Sequence, residues 1–194
     1  MAKRNLIFWS KSKDSDIGCE YKNWGKILSN FYEQEIVINC YTWPTVEHYF
    51  QASKFMWKAK EGDRRYSEYV KKFMKGGEFS LEEHKGQMGK LARKMGGKTA
   101  TKKTKKFEGF DIDPKWDQIK ITIMKAALLE RVRQHPEVVT ILTNVQKNNI
   151  NLVHYERSGH FWGAKIKKSD NGEETIVGKN VLGNLYMELL QIIK

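Results

Sequence analysis

The residues best suited to chemistry fall in Trp43-Pro44-Thr45-Val46-Glu47-His48-Tyr49-Phe50-Gln51-Ala52-Ser53-Lys54-Phe55. A carboxylate, an amide and an amine recur here at helical spacing. At about 100° per residue, Glu47, Gln51, Lys54 and Lys58 share one narrow stripe. Thr45 can cap the helix, and Pro44 sits where a missing N–H does no harm. Val46, Tyr49, Phe50, Ala52, Phe55, Met56 and Trp57 cover most of the remaining surface. Periodicity leaves two readings open: the wet face of an amphipathic helix, or a stripe turned toward a pocket. Glu47 lies in the first turn, where the helix dipole favours its anion, so it suits a cation stabiliser or base better than a general acid.

Three further places combine unusual residue types. Ser29-Asn30-Phe31 puts a polar pair in a loop before a strand. Trp162-Gly163 is a turn whose indole can stack on a base or a ribose, or simply fill the core. Gly178-Lys179-Asn180-Val181-Leu182-Gly183 opens onto a helix. That loop can offer backbone N–H groups to a phosphate, or it can be an ordinary loop with Asn180 as N-cap.

The elements that must position these groups follow from pattern. Leu6–Ser10 and Ile36–Ile38 read as short strands. Asp63 caps a helix running to about Met74, which Gly76-Gly77 ends. Ser80-Leu81-Glu82-Glu83 fits a capping box, beginning a helix that stops near Gly96-Gly97. Asp113-Pro114 starts a long helix carrying Trp116, Ile119, Ile123, Met124, Ala127, Leu128 and Val132. His135-Pro136 starts a short helix through Leu142. Leu152-Val153 is extended. Asp170-Asn171-Gly172 joins Ala164–Lys167 to Thr175–Val177 as a hairpin, and a final helix follows Asn180. The sum is a mainly α chain with a small antiparallel β-sheet, an α+β fold in a single domain spanning 1–194.

Composition narrows the partners. The 35 Lys and Arg against 23 Asp and Glu give a net charge of +12, which favours an anionic partner. Residues 98–106 hold five lysines and three threonines, and read as an exposed loop that is either a solvated linker or a phosphate-binding patch. Cys19 and Cys40 form no metal-binding or redox motif and suit a reducing compartment. The run Leu6-Ile7-Phe8-Trp9 is too short for a signal segment or a membrane span, so a cytoplasmic location is expected. No metal or cofactor is expected.

Taken together, the four places resemble the NADAR, or YbiA-like, family. Its pattern runs from SNF, through WPT-x-EH-YFQA-x-KF, to a tryptophan-containing WG turn and a G-x-N-x-LG helix start. These stand here as Ser29–Phe31, Trp43–Phe55, Trp162-Gly163 and Gly178–Gly183. The stretch Asp113–Leu142 is similar to the family's middle helix, with Trp116, Lys120 and Met124 in register. The resemblance implies a mainly helical fold and an N-glycosidase that cleaves a bond to ribose. The family's substrate classes are phosphorylated riboflavin-pathway intermediates and ADP-ribose attached to guanine in nucleic acid. Its functional positions carry over onto Glu47, Lys54, Trp162, Asn30 and Asn180.

On that resemblance Glu47 and Lys54 are the expected catalytic pair. Ser29, Asn30, Phe31, Trp43, Thr45, His48, Gln51, Trp162, Gly163, Lys179, Asn180 and Gly183 are the expected substrate contacts. Glu47 and Lys54 lie about 10 Å apart along a helix axis and can flank a ribose-sized ligand with Gln51 between them. Lys54 can bind phosphate or donate a proton as an ammonium. As a free amine it can attack C1 and form a Schiff base after ring opening, the role the resemblance favours. The sequence departs from the family at two carboxylate positions, occupied here by His154 and Gly159. Glu156 is near but out of register, and His160 is a candidate substitute. The expected partner is ADP-ribosylated nucleic acid, or else a ribosyl-phosphate metabolite; a non-catalytic ADP-ribose-binding module is the other reading. Oligomeric state is not legible.

Overall fold

The computed structural model describes residues 3–97, 111–157 and 161–192. The lysine-rich segment 98–106, Gly159 and His160 lie outside them. Two compact units can be distinguished: Met1–Ser29 with Val132–Lys194, and Asn30–Arg131.

The first unit contains β1 (Arg4–Phe8), the single-turn helix α1 (Trp24–Ile27), α7 (Pro136–Lys147), β4 (Ile150–His154), β5 (Lys165–Lys168), β6 (Glu174–Val177) and α8 (Val181–Leu189). The expected hairpin is present, with β5 and β6 antiparallel and Gly172 at a positive φ of 84° in its turn. β1 pairs with β4 in parallel, from Arg4↔Ile150 to Phe8↔His154. That pairing has no local signal, because its partners are joined by helices and loops rather than by a turn. α8 packs on β4. Phe8, Leu28, Leu152, Val153, Tyr186 and Leu189 are fully buried there, and the Tyr186 hydroxyl donates to the Leu28 carbonyl at 3.0 Å.

The second unit holds β2 (Ile36–Ile38), β3 (Tyr41–Trp43), α2 (Val46–Ser53), α3 (Met56–Lys60), α4 (Arg64–Lys71) and α5 (Met88–Met95). It also holds most of α6 (Trp116–Gln134). β2 and β3 form an antiparallel hairpin that delivers the chain to α2. Phe55, Tyr69, Phe73 and Phe79 form an edge-to-face cluster, with ring centroids 4.9–5.9 Å apart for Phe55–Tyr69, Tyr69–Phe73, Tyr69–Phe79 and Phe73–Phe79. The helical content and the antiparallel hairpins agree with a mainly α chain carrying small sheet pieces.

Three local expectations are revised. The capping box at Ser80 does not form. Ser80 Oγ instead donates to the carbonyls of Met74 (2.7 Å) and Gly77 (3.1 Å), tying down the preceding turn. Two 3₁₀ turns, Glu78–Ser80 and Glu82–His84, occupy the stretch, and α5 starts only at Met88. The helix capped by Asp63 ends at Lys71 rather than near Met74. Finally, α2 stops at Ser53 with Lys54 as its C-cap, so Lys58 belongs to α3 and leaves the Glu47-Gln51-Lys54 stripe.

All eight residues of α2 are buried, although Glu47, His48, Gln51 and Ser53 are polar. Its N-terminus is held twice. The His48 N–H donates to Thr45 Oγ1 at 3.2 Å, and the Glu47 N–H donates to the Asn30 carbonyl at 3.1 Å. His48 Nε2 lies 3.1 Å from the Phe79 carbonyl, which can only accept, so that nitrogen carries the proton. Nδ1 is then the acceptor for the Thr45 hydroxyl at 2.9 Å. Burial holds the imidazole neutral, moving its pKa from 6.5 to about 4; the Phe79 bond and Glu33 oppose this more weakly. His48 and Thr45 are 0% exposed, and their side-chain hydrogen bonds serve the helix start.

Two outcomes follow for stability. Thr45→Val removes the cap and strands Nδ1, which costs about 2–4 kcal/mol, whereas Thr45→Ser loses little. Chemical denaturation checks this, and equal losses in both variants would contradict it. The folded imidazole has a depressed pKa, so its contribution is complete above about pH 6.5 and disappears as pH falls through about 4. The stability advantage of wild type over His48→Gln should therefore shrink by roughly 3 kcal/mol between pH 7 and pH 4. A constant difference would refute the assignment.

Candidate active site

Within the second unit the structure gathers Glu47, Gln51 and Lys54 into one chain of hydrogen bonds. Gln51 Nε2 donates to Glu47 Oε1 at 2.7 Å, and Lys54 Nζ donates to Gln51 Oε1 at 2.5 Å. The amide is oriented by its neighbours, because its NH₂ must face the carboxyl and its oxygen the ammonium. Gln51 is 5% exposed with both polar ends engaged, and it bridges the pair.

The stripe is not a wet face, since Glu47 is 6% exposed. Burial raises its carboxyl pKa above the ordinary carboxylate range, against the Gln51 hydrogen bond and the charges of Lys54 and Arg93. This reverses the expectation drawn from the helix dipole. The Glu47 N–H is already given to Asn30, and loss of water outweighs what the helix terminus supplies. A carboxyl held toward its protonated form is suited to giving a proton.

Lys54 is half-buried between aromatic faces. Its Nζ lies 5.7 Å from the centre of the Trp116 ring and 5.9 Å from that of Phe50. It also donates to the Gly96 carbonyl, 2.9 Å away at the end of α5. Sequence reasoning placed Trp116 in a helix and Gly96 at a helix stop, but it gave neither a role at Lys54. Only the fold brings residues 42 and 62 positions away to this amine.

Asn30 lies beside Glu47 through its backbone. Its Nδ2 donates weakly to Met124 Sδ at 3.4 Å, and its Oδ1 is buried with no hydrogen-bond partner. An unmatched buried acceptor next to Glu47 is suited to a ligand's donor. Phe31 packs against α5, its Cα 2.6 Å from where a Gly89 Cβ would stand. Trp43 is 1% exposed, and its Nε1–H donates to the Ile38 carbonyl at 3.4 Å, so it supports α2 from within.

The remaining expected residues lie in the first unit. Ser29 is buried at the end of the loop after α1. Trp162, Gly163, Lys179, Asn180 and Gly183 form a backbone knot around the start of α8. The N–H groups of Asn180, Val181 and Leu182 donate to the carbonyls of Gly163 (3.2 Å), Phe161 (3.2 Å) and Trp162 (2.9 Å). These are the donors that a phosphate would need, so the phosphate-cradle expectation for this loop is not met. Asn180 is not a side-chain cap either. It stands at a φ of 49°, and its amide ties Leu152 O (2.9 Å) and the His154 N–H (2.9 Å). Gly183 packs too close to Asn180 for a side chain, with a Cβ placed 2.6 Å from the amide nitrogen. Glu156, out of register with the family carboxylate, accepts from the Gly163 N–H at 3.0 Å. Lys179 is exposed, its Nζ 5.4 Å from the Phe161 ring. Trp162 is half-buried, edge-on to Phe161.

No group of three His, Cys, Asp or Glu side chains among the described residues could hold a metal ion. No described helix is long and apolar enough to cross a membrane.

N-glycosidase YbiA of Escherichia coli (strain K12) and that of Shigella flexneri are each 30% identical over 162 residues, covering 84% of this chain and 78% of theirs. The NMR structure of the E. coli protein YbiA superposes with a TM-score of 0.59 at 24% identity, covering 99% of this chain and 86% of that one, and so shares the fold. The NADAR domain matches residues 7–194, and the chain belongs to the NADAR domain family.

Proposed function

We propose that the protein is an N-glycosidase that cleaves the bond between ribose and a base, and that it removes ADP-ribose from guanine in nucleic acid. The observation that carries the reading is the buried chain Glu47–Gln51–Lys54, which sets a proton-holding carboxyl and an amine on one helix. The relatives named N-glycosidase support the reaction class. The net charge of +12 supports a polyanionic substrate over a small metabolite.

Departure of the base needs a proton, and positive charge develops at C1 of the ribose as the C–N bond breaks. Glu47, kept toward its acid form by burial, is fitted to supply that proton. The Lys54 ammonium first gives a proton to solvent; the amine then attacks C1 as the C–N bond to the base breaks and the base leaves with the Glu47 proton, and the glycosylammonium so formed gives a proton to solvent to become a glycosylamine. Ring opening then yields a Schiff base on Nζ. Water adds to its carbon, frees the open-chain sugar and returns the amine. Asn30 Oδ1 offers an acceptor to a sugar hydroxyl or a base N–H beside Glu47.

The decisive assay is release of guanine-containing oligonucleotide from its ADP-ribosyl adduct, run in parallel with phosphorylated riboflavin-pathway intermediates. Release from the adduct alone supports the full proposal. Turnover of the intermediates alone retains the N-glycosidase and discards the nucleic-acid substrate. Tight binding with no release would indicate a binding module instead. Glu47→Gln should lower turnover by about 10²- to 10⁴-fold. Because the folded carboxyl has a raised pKa, its stability contribution is complete at low pH and is lost as pH rises. Glu47→Gln should therefore melt at or above wild type, with a gap that widens from pH 5 to pH 9. A variant that is inactive because it is less stable would count against the assignment. Borohydride added during turnover should leave a ribosyl adduct on Lys54 by mass spectrometry; full activity in Lys54→Ala would remove the covalent step.

A further inference from the structure

The end of α5 makes two demands on the site that the sequence motif does not contain. Gly96 has a φ of −81°, a conformation open to any residue, so glycine is not there for its backbone freedom. It is there for space. A Cβ on Gly96 would stand 2.6 Å from Gln51 Cβ and 2.8 Å from Gln51 Cδ, and would collide with Gln51 Oε1. The Cβ–Cβ approach cannot be relieved by a rotamer change, because Gln51 Cβ is fixed by α2. The end of α5 is also held by Tyr69. The buried Tyr69 hydroxyl donates to the Met95 carbonyl at 2.6 Å.

The second demand is electrostatic. The Gly96 carbonyl sits at the negative end of α5 and accepts from Lys54 Nζ at 2.9 Å, while Gln51 Oε1 accepts from the same nitrogen. A tetrahedral nitrogen bonded to Cε, with two N–H bonds directed at fixed acceptors, has its third direction determined. That direction carries a proton in the ammonium and the lone pair in the amine. The two acceptors therefore aim the nucleophile, whichever form is present.

We propose that Gly96 is a positioning residue for the reaction: its bare Cα seats Gln51, and its carbonyl, together with Gln51, directs the Lys54 amine. The proposal rests on the N-glycosidase reading for its kinetic consequence, but its effect on Lys54 stands apart from any substrate.

The test uses the full chain with two substitutions. Gly96→Ala should lower kcat by about 10- to 100-fold with KM nearly unchanged, since the error lies in aim and not in binding. Gln51→Met keeps much of the side-chain volume but removes both hydrogen bonds, and should show the same kcat loss. The second readout is the pH dependence of Lys54 acetylation by acetic anhydride, followed by mass spectrometry. Its midpoint should move in both variants relative to wild type. Unchanged kcat together with an unmoved Lys54 midpoint in Gly96→Ala overturns the proposal. If Gly96→Ala does not fold, an unmoved midpoint in Gln51→Met overturns it alone. If wild type turns over no ribosyl substrate, the N-glycosidase reading fails, and the Lys54 midpoints still decide whether Gly96 and Gln51 govern this amine.

Discussion

A helix with no wet face must satisfy every polar group it carries from within the protein. That constraint governs the second unit. Across Val46–Ser53 nothing is exposed, so each polar side chain recruits a partner from nearby. His48 reaches Thr45 and Phe79, Ser53 Oγ donates back to Tyr49 O at 2.8 Å, Gln51 joins Glu47 to Lys54, and Lys54 turns to Gly96. An unpaired buried polar group costs about 1–3 kcal/mol, so these partners are conditions for burying the helix at all. The same burial that demands partners also changes Glu47 chemically. Stability and reactivity at this helix share one origin, the exclusion of water.

The two units solve the helix-terminus problem differently. At α2, a side-chain hydroxyl and the Asn30 carbonyl hold the first amides. At α8, three consecutive carbonyls of the Trp162-Gly163 turn do so. The second arrangement explains why the WG turn and the G-x-N-x-LG start occur together in one chain. The turn's carbonyls fill the helix start, Asn180 adopts a left-handed conformation and clamps β4, and the absent side chain of Gly183 lets the clamp close. Residues that read as a ligand loop are here a joint between strand, turn and helix.

Much of the secondary structure was legible because it is written locally. The Asp63 cap, the Asn-Gly hairpin turn and the proline that opens α7 each depend on a few adjacent residues, whereas Asp113 closes a turn ahead of α6, which begins at Trp116 rather than at Pro114. Ser80 misled because a capping box is a pattern of four residue types, and the hydroxyl found better-placed carbonyls at Met74 and Gly77. The stripe from Glu47 to Lys54 was visible as a stripe. Periodicity reports which residues share a face but not what lies opposite, and here α5, Phe50 and Trp116 are opposite. The sign of the Glu47 shift was unreadable for the same reason, since the dipole is local and desolvation is not. Gly96 was visible as a helix stop, whereas its closeness to Gln51 is a tertiary fact.

The parallel pairing of β1 with β4 has a consequence for how the chain is made. Asn5 and Asn151, hydrogen-bonded through their side chains at 2.8 Å, are separated by 146 residues. On a ribosome the first strand emerges long before its mate and must wait with unpaired backbone edges. The unit spanning Asn30–Arg131 is contiguous and can close its own contacts during that wait. Glu47, Gln51, Lys54, Gly96 and Trp116 all lie inside it. Vectorial synthesis would then deliver a finished hydrogen-bond chain while β1 is still without its neighbour.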